Sequence, residues 1–201
     1  MKGLGWLLLF LLAPNAHAAD TYRLDADHSS MSFDIRNFGI PWVAAHFRQF
    51  SGDFVVDRHG PGSQVDVTVR TDSIDGLTAG WSTRIRSSDW LDTQHFPEMS
   101  FRSRHVEFDG RGGAVAGGLL TLHGVTRPVM LHVERLDCAA EQADPNQACG
   151  FKAHANIRRS DFGLPHGFWL AGDQVEISVS GAALRNEPRL ATADRSAPRG
   201  N

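Results

Sequence analysis

GLLTLHGVTRPVMLHV, residues 118–133, holds two apolar alternations on either side of a chain reversal. The alternation covers residues 120–122 before the reversal and residues 129–133 after it. A period of two is typical of a strand that buries one face. Gly124 permits a positive φ, and Pro128 restricts the residue before it to extended geometry. The stretch therefore predicts a β-hairpin whose turn lies between Gly124 and Pro128, and its apolar face requires a partner.

Similar alternating runs occur along most of the remaining chain. They cover residues 31–35, 65–69, 99–101, 106–108, 151–157 and 175–179. A turn is expected near Arg104, between two of these runs. From 75 to 92 the alternation stops, and Leu77, Trp81 and Ile85 fall at helical spacing, which predicts one short helix. About eight strands, one helical insertion and no internal repeat favour an all-β fold, a closed eight-stranded antiparallel barrel, over alternating strands and helices.

The first eighteen residues have the order of a secretory signal. Lys2 precedes an apolar run at 4–12, and Ala16-His-Ala18 provides small residues for cleavage after Ala18. That run is too short to span a bilayer, and no later segment offers ~18 uninterrupted apolar residues. Residues 1–18 are therefore predicted to be a signal peptide, and the mature protein is expected to lie in the periplasm without spanning the membrane.

The charge balance is weakly acidic. The formal net charge is −3, and loss of Lys2 with the signal segment takes it to −4. Such a balance argues against nucleic acid or an anionic membrane surface as a partner. Residues 20–185 are long enough for one domain, and the polar segment 186–201, which has no periodicity, is predicted to be a disordered tail.

The two cysteines bracket a polar loop. Cys138 and Cys149 are the only cysteines of the chain. In an oxidising compartment a disulfide that closes this loop is the favoured interpretation, rather than a redox or zinc site.

Four segments carry a resemblance to a known family. They read YRLDADHSSMSF at 22–33, RSSDWLDTQHFPEMSFRS at 86–103, LLTLHGVTRPVML at 119–131 and RRSDFGL at 158–164. They occur in the same order in YceI-like, polyisoprenoid-binding proteins, and the chain resembles that family over residues 20–185. The resemblance implies a lipocalin-like antiparallel barrel of eight strands, exported in bacteria, whose interior holds an isoprenoid or quinone-like lipid.

The resemblance and the alternation together indicate a set of ligand contacts. Inward strand positions and the groups around the helix make up this set: Phe33, Ile35, Phe54, Val67, Trp81, Arg84, Ile85, Trp90, Phe101, Leu122, Leu131, Ala153, Ala155, Phe162 and Trp169. Small residues at Ala153, Ala155 and Gly117 are expected to leave space inside the barrel. Arg84 and Arg86 are the expected polar groups at the mouth of the pocket, with a solvated helix face as the alternative.

Two features depart from the family pattern. Members commonly carry Arg-Asp-x-His-Leu where this chain has WSTRI at 81–85, so the family's charged and histidine positions are absent there. If those groups contact a headgroup, the headgroup is expected to differ in this protein. The loop between Cys138 and Cys149 is the second departure, and it is expected to lie at the rim of the barrel.

Catalytic and metal-binding interpretations have little support in the sequence. Asp27, His28 and Ser29 are consecutive, so alternation separates them and they form no catalytic relay, and no nucleophile elbow is present. His123 and His132 are expected to be outward and out of register, which is a poor metal site. No cluster of titratable residues is arranged as acid and base.

Three hypotheses follow. The first is a binding protein with no catalytic residue, no metal and no cofactor apart from the bound lipid. The alternative is an enzyme or redox accessory that acts on an isoprenoid or quinone lipid, which requires an acid–base pair or a cofactor ligand in the cavity. In the third, side chains fill the barrel and its outer face binds a protein. A homodimer is left open.

Overall fold

A computed structural model describes residues 19–37, 40–57, 60–76, 78–138, 148–164 and 172–186. Ten strands and one α-helix occur in this part of the chain. They are β1 (Asp20–Asn37), β2 (Ile40–Phe47), β3 (Phe50–Val56), β4 (Gln64–Arg70), β5 (Ile74–Gly76), α1 (Ala79–Arg86), β6 (Glu98–Phe108), β7 (Ala114–Leu122), β8 (Val125–Cys138), β9 (Ala148–Arg158) and β10 (Gln174–Arg185). Short 3-10 helices occupy Thr71–Ser73 and Arg159–Phe162. The predicted signal peptide and nearly all of the predicted tail lie outside the described residues.

Eight of the described strands close into a barrel. Their order is β1, β3, β4, β6, β7, β8, β9 and β10, and β10 pairs back to β1. Every neighbouring pair in this ring is antiparallel. The predicted eight-stranded antiparallel barrel with one short helix is confirmed.

The two remaining strands extend one end of the barrel. On the side away from β10, the first part of β1 (20–23) pairs with β3, whereas its last part (31–37) pairs with β2. β5 then pairs with β2, and α1 follows β5 directly and contacts it. This end of the barrel is therefore built from β1, β2, β5 and α1.

The central hairpin is tighter than predicted. β7 and β8 pair from Leu122 with Val125 onward, so the turn consists of His123 and Gly124 alone. Their φ angles are 51° and 72°, which is the geometry of the two-residue turn that matches strand twist. The hairpin is confirmed, but the predicted extension of the turn to Pro128 is wrong, because Pro128 lies inside β8.

The predicted turn near Arg104 is also wrong. β6 runs without reversal through this position, and only its register against β7 shifts, between Ser103 and His105. Buried Ser103 stabilises the irregularity, since its hydroxyl donates to the carbonyl of Gly117 at 2.7 Å and accepts from the amide of His105 at 3.2 Å. A β-bulge breaks the alternation as a turn would, but the strand continues.

Helix α1 forms within the predicted insertion. Thr78 precedes it in extended geometry, and its hydroxyl accepts a hydrogen bond from the amide of Trp81 at 3.3 Å, as an N-cap does. Ile85 is fully buried on the face that packs onto the barrel. The helix therefore covers the end of the barrel formed by β2 and β5.

The described cysteines confirm the predicted disulfide. Cys138 and Cys149 are bonded and are register partners on β8 and β9. Their bond joins two strands that are already neighbours in the barrel, at the end away from α1.

Candidate ligand-binding site

The barrel interior contains an apolar cavity of about 140 Å³ in the half that lies toward the disulfide. Tyr22, Phe54 and Phe101 line it, together with Cys149. Many inward side chains around it are only half-buried, among them Phe54 and Phe151, whose rings contact each other at a centroid distance of 5.9 Å. Side chains packed into a filled core would be fully buried, so the interior of this barrel is not filled by its own residues.

Small side chains on neighbouring strands account for the space. Ala114 of β7, Ala153 and Ala155 of β9 and Ala183 of β10 all line the larger cavity. A small barrel that carries large side chains at every inward position has a packed interior, whereas one with small residues on one wall can hold a ligand. The expectation for Gly117 is wrong: it faces outward beneath exposed Met130, whereas neighbouring Gly118 lies on the inner side under the ring of Phe101.

A second cavity, of about 50 Å³, lies in the half of the barrel toward α1. It is lined by Phe33, Ile35, Phe47, Trp90, Leu91, Met99, Leu122, Ile157, Arg159, Leu164, Val175 and Ile177. Among these described residues Arg159 is the one charged side chain, and it is only 5% exposed.

Arg159 is held by groups at the edge of the smaller cavity. Its guanidinium carbon lies 4.8 Å from the ring centroid of Trp90, a cation–π distance. Its Nη1 donates to the carbonyl of Gly172 at 3.4 Å, and its amide donates to the carbonyl of Asp173 at 2.9 Å. Burial lowers the pKa of the Arg159 guanidinium from its ordinary value, and the charge of Asp173 partly opposes that shift. The wall of the smaller cavity thus carries a desolvated guanidinium that is hydrogen-bonded to the protein.

Met99 and Ile177 separate the two cavities. Both residues line the larger cavity and also the smaller one. Met99 begins the inward face of β6, and Ile177 lies on the inward face of β10 between Val175 and Val179. The apolar interior is therefore divided into two cavities at this pair.

The residues predicted as ligand contacts fall into four groups. Phe54, Val67, Phe101, Leu131, Ala153 and Ala155 line the larger cavity. Phe33, Ile35, Trp90 and Leu122 line the smaller one. Trp81, Arg84, Ile85 and Phe162 lie outside both linings, and Trp169 lies outside the described residues. Each of these contacts stays a prediction.

Trp81 and Arg84 on α1 differ in their relation to the site. Trp81 packs edge-on against Trp90 at a centroid distance of 6.2 Å, so it supports a residue of the smaller cavity. Arg84 is exposed on the helix. The neighbouring Arg86, the other predicted group at the mouth, donates to the carbonyl of Ile74 in β5 and so ties the helix to the barrel.

Sequence reasoning missed Met99, Ile177 and Arg159. A signal for Arg159 was present, because it follows Ala153, Ala155 and Ile157 at the period of β9 and therefore shares their inward face. Two adjacent arginines are usually interpreted as a solvated pair, and that interpretation conceals the difference between exposed Arg158 and buried Arg159.

The described residues contain neither a metal-binding cluster nor a membrane-spanning helix. These residues contain no group of three or more His, Cys, Asp or Glu side chains arranged to hold a metal ion. His132 instead stacks on His154 across β8 and β9, with ring centroids 5.4 Å apart. None of the helices in the described part of the chain combines the length and hydropathy required to cross a membrane.

A closed eight-stranded barrel with an apolar interior cavity belongs to the class of small β-barrels whose geometry accommodates one ligand. Within that class, the sequence model described as "YceI-like domain" matches residues 22–183. The chain is 36% identical to a UPF0312 protein of Shewanella baltica over 174 residues, which is 84% of this chain and 90% of that one. It is 33% identical to Protein YceI of Escherichia coli over 185 residues, 90% of this chain and 94% of the relative. The protein belongs to the YceI-like family.

Solved structures share the fold. BcnA of Burkholderia cenocepacia superposes with a TM-score of 0.67 at 21% identity, over 81% of this chain and 99% of that one. A polyisoprenoid-binding domain from Saccharophagus degradans superposes with a TM-score of 0.55 at 16% identity, over 86% of this chain and 100% of the other. These similarities support the barrel architecture.

Proposed function

We propose that this protein is an exported binding protein that holds a polyisoprenoid or quinone-like lipid inside its barrel. The observation that carries the proposal is the apolar cavity of about 140 Å³, surrounded by inward side chains that remain half-exposed. Membership of the YceI-like family and the fold shared with a polyisoprenoid-binding domain support a prenyl chain as the occupant.

The cavity suits an apolar chain on energetic grounds. Each methylene that leaves water for such an interior contributes ~0.8 kcal/mol, and the larger cavity lacks charged side chains in the described lining. An engineered cavity of about 150 Å³ in another protein admits benzene, so the larger cavity has room for roughly one isoprene unit as it stands. A longer tail requires the two cavities to act together.

The lining favours carriage over catalysis. The polar residues in the described lining of the larger cavity are Tyr22, Ser63, Gln64 and Ser100, and they contain no carboxylate–histidine pair that could act as acid and base. Among the described lining residues, Arg159 at the smaller cavity is the charged one, and it stays protonated near neutral pH, so it does not act as an acid or a base. An enzyme acting on the lipid is therefore the less favoured function.

The predicted signal segment supports a periplasmic location, and the bonded cysteines suit an oxidising compartment. Fractionation of the native host is expected to recover mature protein that begins at or near Ala19. Intact protein containing Met1 in the cytosol would contradict the expected export.

Lipid extraction tests the function. Protein purified from the periplasm is expected to release a prenyl lipid into organic solvent, in an amount approaching one molecule per barrel, detectable by mass spectrometry. A periplasmic protein of similar size, purified in parallel, controls for carry-over of membrane lipid. A lipid-free protein that also fails to take up added prenyl lipid would refute the proposal.

A further inference from the structure

We infer that the prenyl lipid enters and leaves the barrel at the disulfide end, and that the rings of Phe54 and Phe151 form a gate across this route. The inference rests on the proposed function and adds how the cavity is reached. It gives the two phenylalanines a role in the rate at which lipid is exchanged.

The larger cavity extends to the disulfide end of the barrel. Val56 is the last residue of β3, Gln64 and Ala114 are the first residues of β4 and β7, and all three line the cavity. Val56 and Gln64 are only half-buried. Because the wall of the cavity includes strand ends that are accessible to solvent, a ligand can reach the cavity from this end.

The α1 end of the barrel is packed with core side chains. Ile85 of α1 and Phe162 of the 3-10 helix after β9 are almost completely buried, and both belong to the main hydrophobic core. Neither residue lines a cavity. A lipid that entered here would have to displace close-packed side chains, which protein interiors resist. The disulfide end is therefore the easier route.

The rings of Phe54 and Phe151 meet inside the barrel on this route. In the ring of strands β3 and β9 are separated by β1 and β10, yet the centroids of the two rings are 5.9 Å apart. Both side chains are half-buried, and both line the larger cavity. The pair therefore extends across part of the interior and is not enclosed in a filled core.

The two rings lie between the strand ends and the space inside. On β9, Phe151 is the second inward residue from the disulfide end, and Ala153 is the third. On β3, Phe54 is the second and Gly52 the third, and a Cβ at Gly52 would lie 3.3 Å from Cζ of Phe54. A small residue thus follows the aromatic one on both strands. A tail that moves toward Ala153 has to pass the rings.

The association rate distinguishes a gate from a simple ligand contact. Separating an aromatic pair costs enough to slow passage about 2- to 10-fold. Leucine at either position keeps the wall apolar but cannot form the pair. A lost ligand contact accelerates dissociation alone, whereas removal of a barrier accelerates association as well.

Delipidated protein mixed with tritiated farnesol or geranylgeraniol tests the gate. Phe54→Leu and Phe151→Leu are each expected to raise the association rate constant about 2- to 10-fold over wild type. The double variant is expected to be at most about 2-fold faster than the faster single variant, because either substitution already removes the pair.

Phe96→Leu is the matched control for the gate and is expected to associate at the wild-type rate. Phe96 is also half-buried, and its ring packs on that of His123 at a centroid distance of 4.3 Å. It lines neither cavity, so loss of its aromatic contact leaves the route unchanged.

A pair of tryptophan variants tests the end at which lipid enters. Val56→Trp is expected to lower the association rate constant about 2- to 10-fold, the cost of moving a bulky side chain out of its preferred rotamer. Val125→Trp is the control at the α1 end and is expected to match wild type. Val125 is half-buried at the start of β8, as Val56 is at the end of β3, but it lines neither cavity. Gln64→Trp repeats the test at the disulfide end if Val56→Trp does not fold.

The outcomes separate this inference from the proposed function. If wild type binds the prenyl alcohols and the folded Phe54 and Phe151 variants associate at the wild-type rate, the gate is refuted. If Val125→Trp slows association and the variants at the disulfide end do not, the lipid enters at the other end. In both cases the proposed function stands. It fails if wild type takes up neither farnesol nor geranylgeraniol.

Discussion

The disulfide between Cys138 and Cys149 constrains the chain at the end of the barrel away from α1. The two cysteines are 11 positions apart and are register partners on β8 and β9. The pairing of these strands extends from the cysteines to His132 and His154. A disulfide at this place reduces the conformational entropy of the unfolded chain, while the hydrogen bonds between the strands stabilise the folded one.

Replacing both cysteines by serine is therefore expected to lower the free energy of unfolding by about 2 to 3 kcal/mol, the entropy of closing a loop of this length. The barrel should persist, because the pairing of β8 with β9 does not depend on the bond. Urea denaturation followed by far-UV circular dichroism measures the change, with reduced wild type as the control. An unchanged urea midpoint, or loss of the strand signal without urea, would contradict this expectation.

A hydrogen-bonded histidine–aspartate pair on the surface of β1 makes a contribution to stability that depends on pH. His28 Nδ1 lies 2.7 Å from Asp25 Oδ2, and this hydrogen bond raises the pKa of His28 and lowers the pKa of Asp25. The contribution of His28 to stability is fully present below the ordinary pKa of imidazole and is lost as pH rises through the raised pKa of His28. The contribution of Asp25 is fully present above the ordinary pKa of a carboxyl group and is lost as pH falls through the lowered pKa of Asp25. The pair is thus fully formed between about pH 4 and 6.5.

Asp25→Asn is expected to shift the His28 titration to lower pH, since it removes the acceptor charge. The shift is measured by NMR of the imidazole ring. Asp27→Asn is the matched control, because Asp27 has the weakest of the effects that raise the pKa of His28. Equal shifts in the two variants would show that the hydrogen bond to Asp25 is not the cause.

Strand β7 carries two adjacent glycines with opposite surroundings. A Cβ at Gly118 would lie 2.6 Å from the backbone oxygen of Arg102 and 2.6 Å from the ring of Phe101. A Cβ at Gly117 would meet only the side chain of Met130, at an ordinary 3.5 Å. The inner glycine is thus required for the close approach of β6, and the outer one is not.

Gly118→Ala is expected to destabilise the protein by about 1 to 3 kcal/mol, the usual cost of overpacking, and to push Phe101 toward the larger cavity. Gly117→Ala, the matched control, is expected to be neutral or stabilising by up to about 1 kcal/mol, because alanine reduces the freedom of the unfolded chain. Thermal melts of the two variants provide the comparison. A Gly118 variant as stable as the Gly117 variant would show that β6 moves away without cost.

The barrel as an assembly is hollow because small side chains from β7, β9 and β10 line one wall of the larger cavity. Ala153 and Ala155 lie on the wall of the larger cavity, next to Val179 and Ile177 of β10 in the register. Filling this wall should replace the ligand by side chain without breaking the pairing of strands.

Ala153→Trp and Ala155→Trp are therefore expected to remain folded and to lose about tenfold or more of the prenyl lipid that wild type carries, since an indole ring occupies a space of this size. Asn156→Trp, at the next, outward-facing position of β9, is the control and should keep the lipid. Lipid content is measured by mass spectrometry and folding by circular dichroism. The interior would be identified as ordinary core if the Trp variants unfold and the fraction that remains folded takes up as much lipid as wild type.

Local pattern was sufficient to predict most strands, the hairpin and the disulfide. The period of two at residues 129–133 identifies the inward face of β8 because pleating alone separates the two faces of a strand. The breaks in that period were harder to interpret. The bulge at Ser103 interrupts alternation as a turn does, and a turn was predicted there in error. Strand β2 was missed because it contains Pro41 and consecutive alanines, which conceal its period.

The relations that define the site depend on strands that are distant in the sequence. Met99 and Ile177 are 78 positions apart, yet they share both cavities because the ring brings β6 and β10 around one interior. Arg159 lies beside Trp90 for the same reason. Periodicity assigns each side chain to a face, but register and closure determine which faces meet and how much space remains between them. Hydrophobic pattern is local, whereas cavity volume depends on the side chains of the whole ring. The pattern of the sequence was therefore sufficient to predict a barrel. Only the closure of the barrel placed Arg159 at a cavity wall and the pair Met99 and Ile177 between the two cavities.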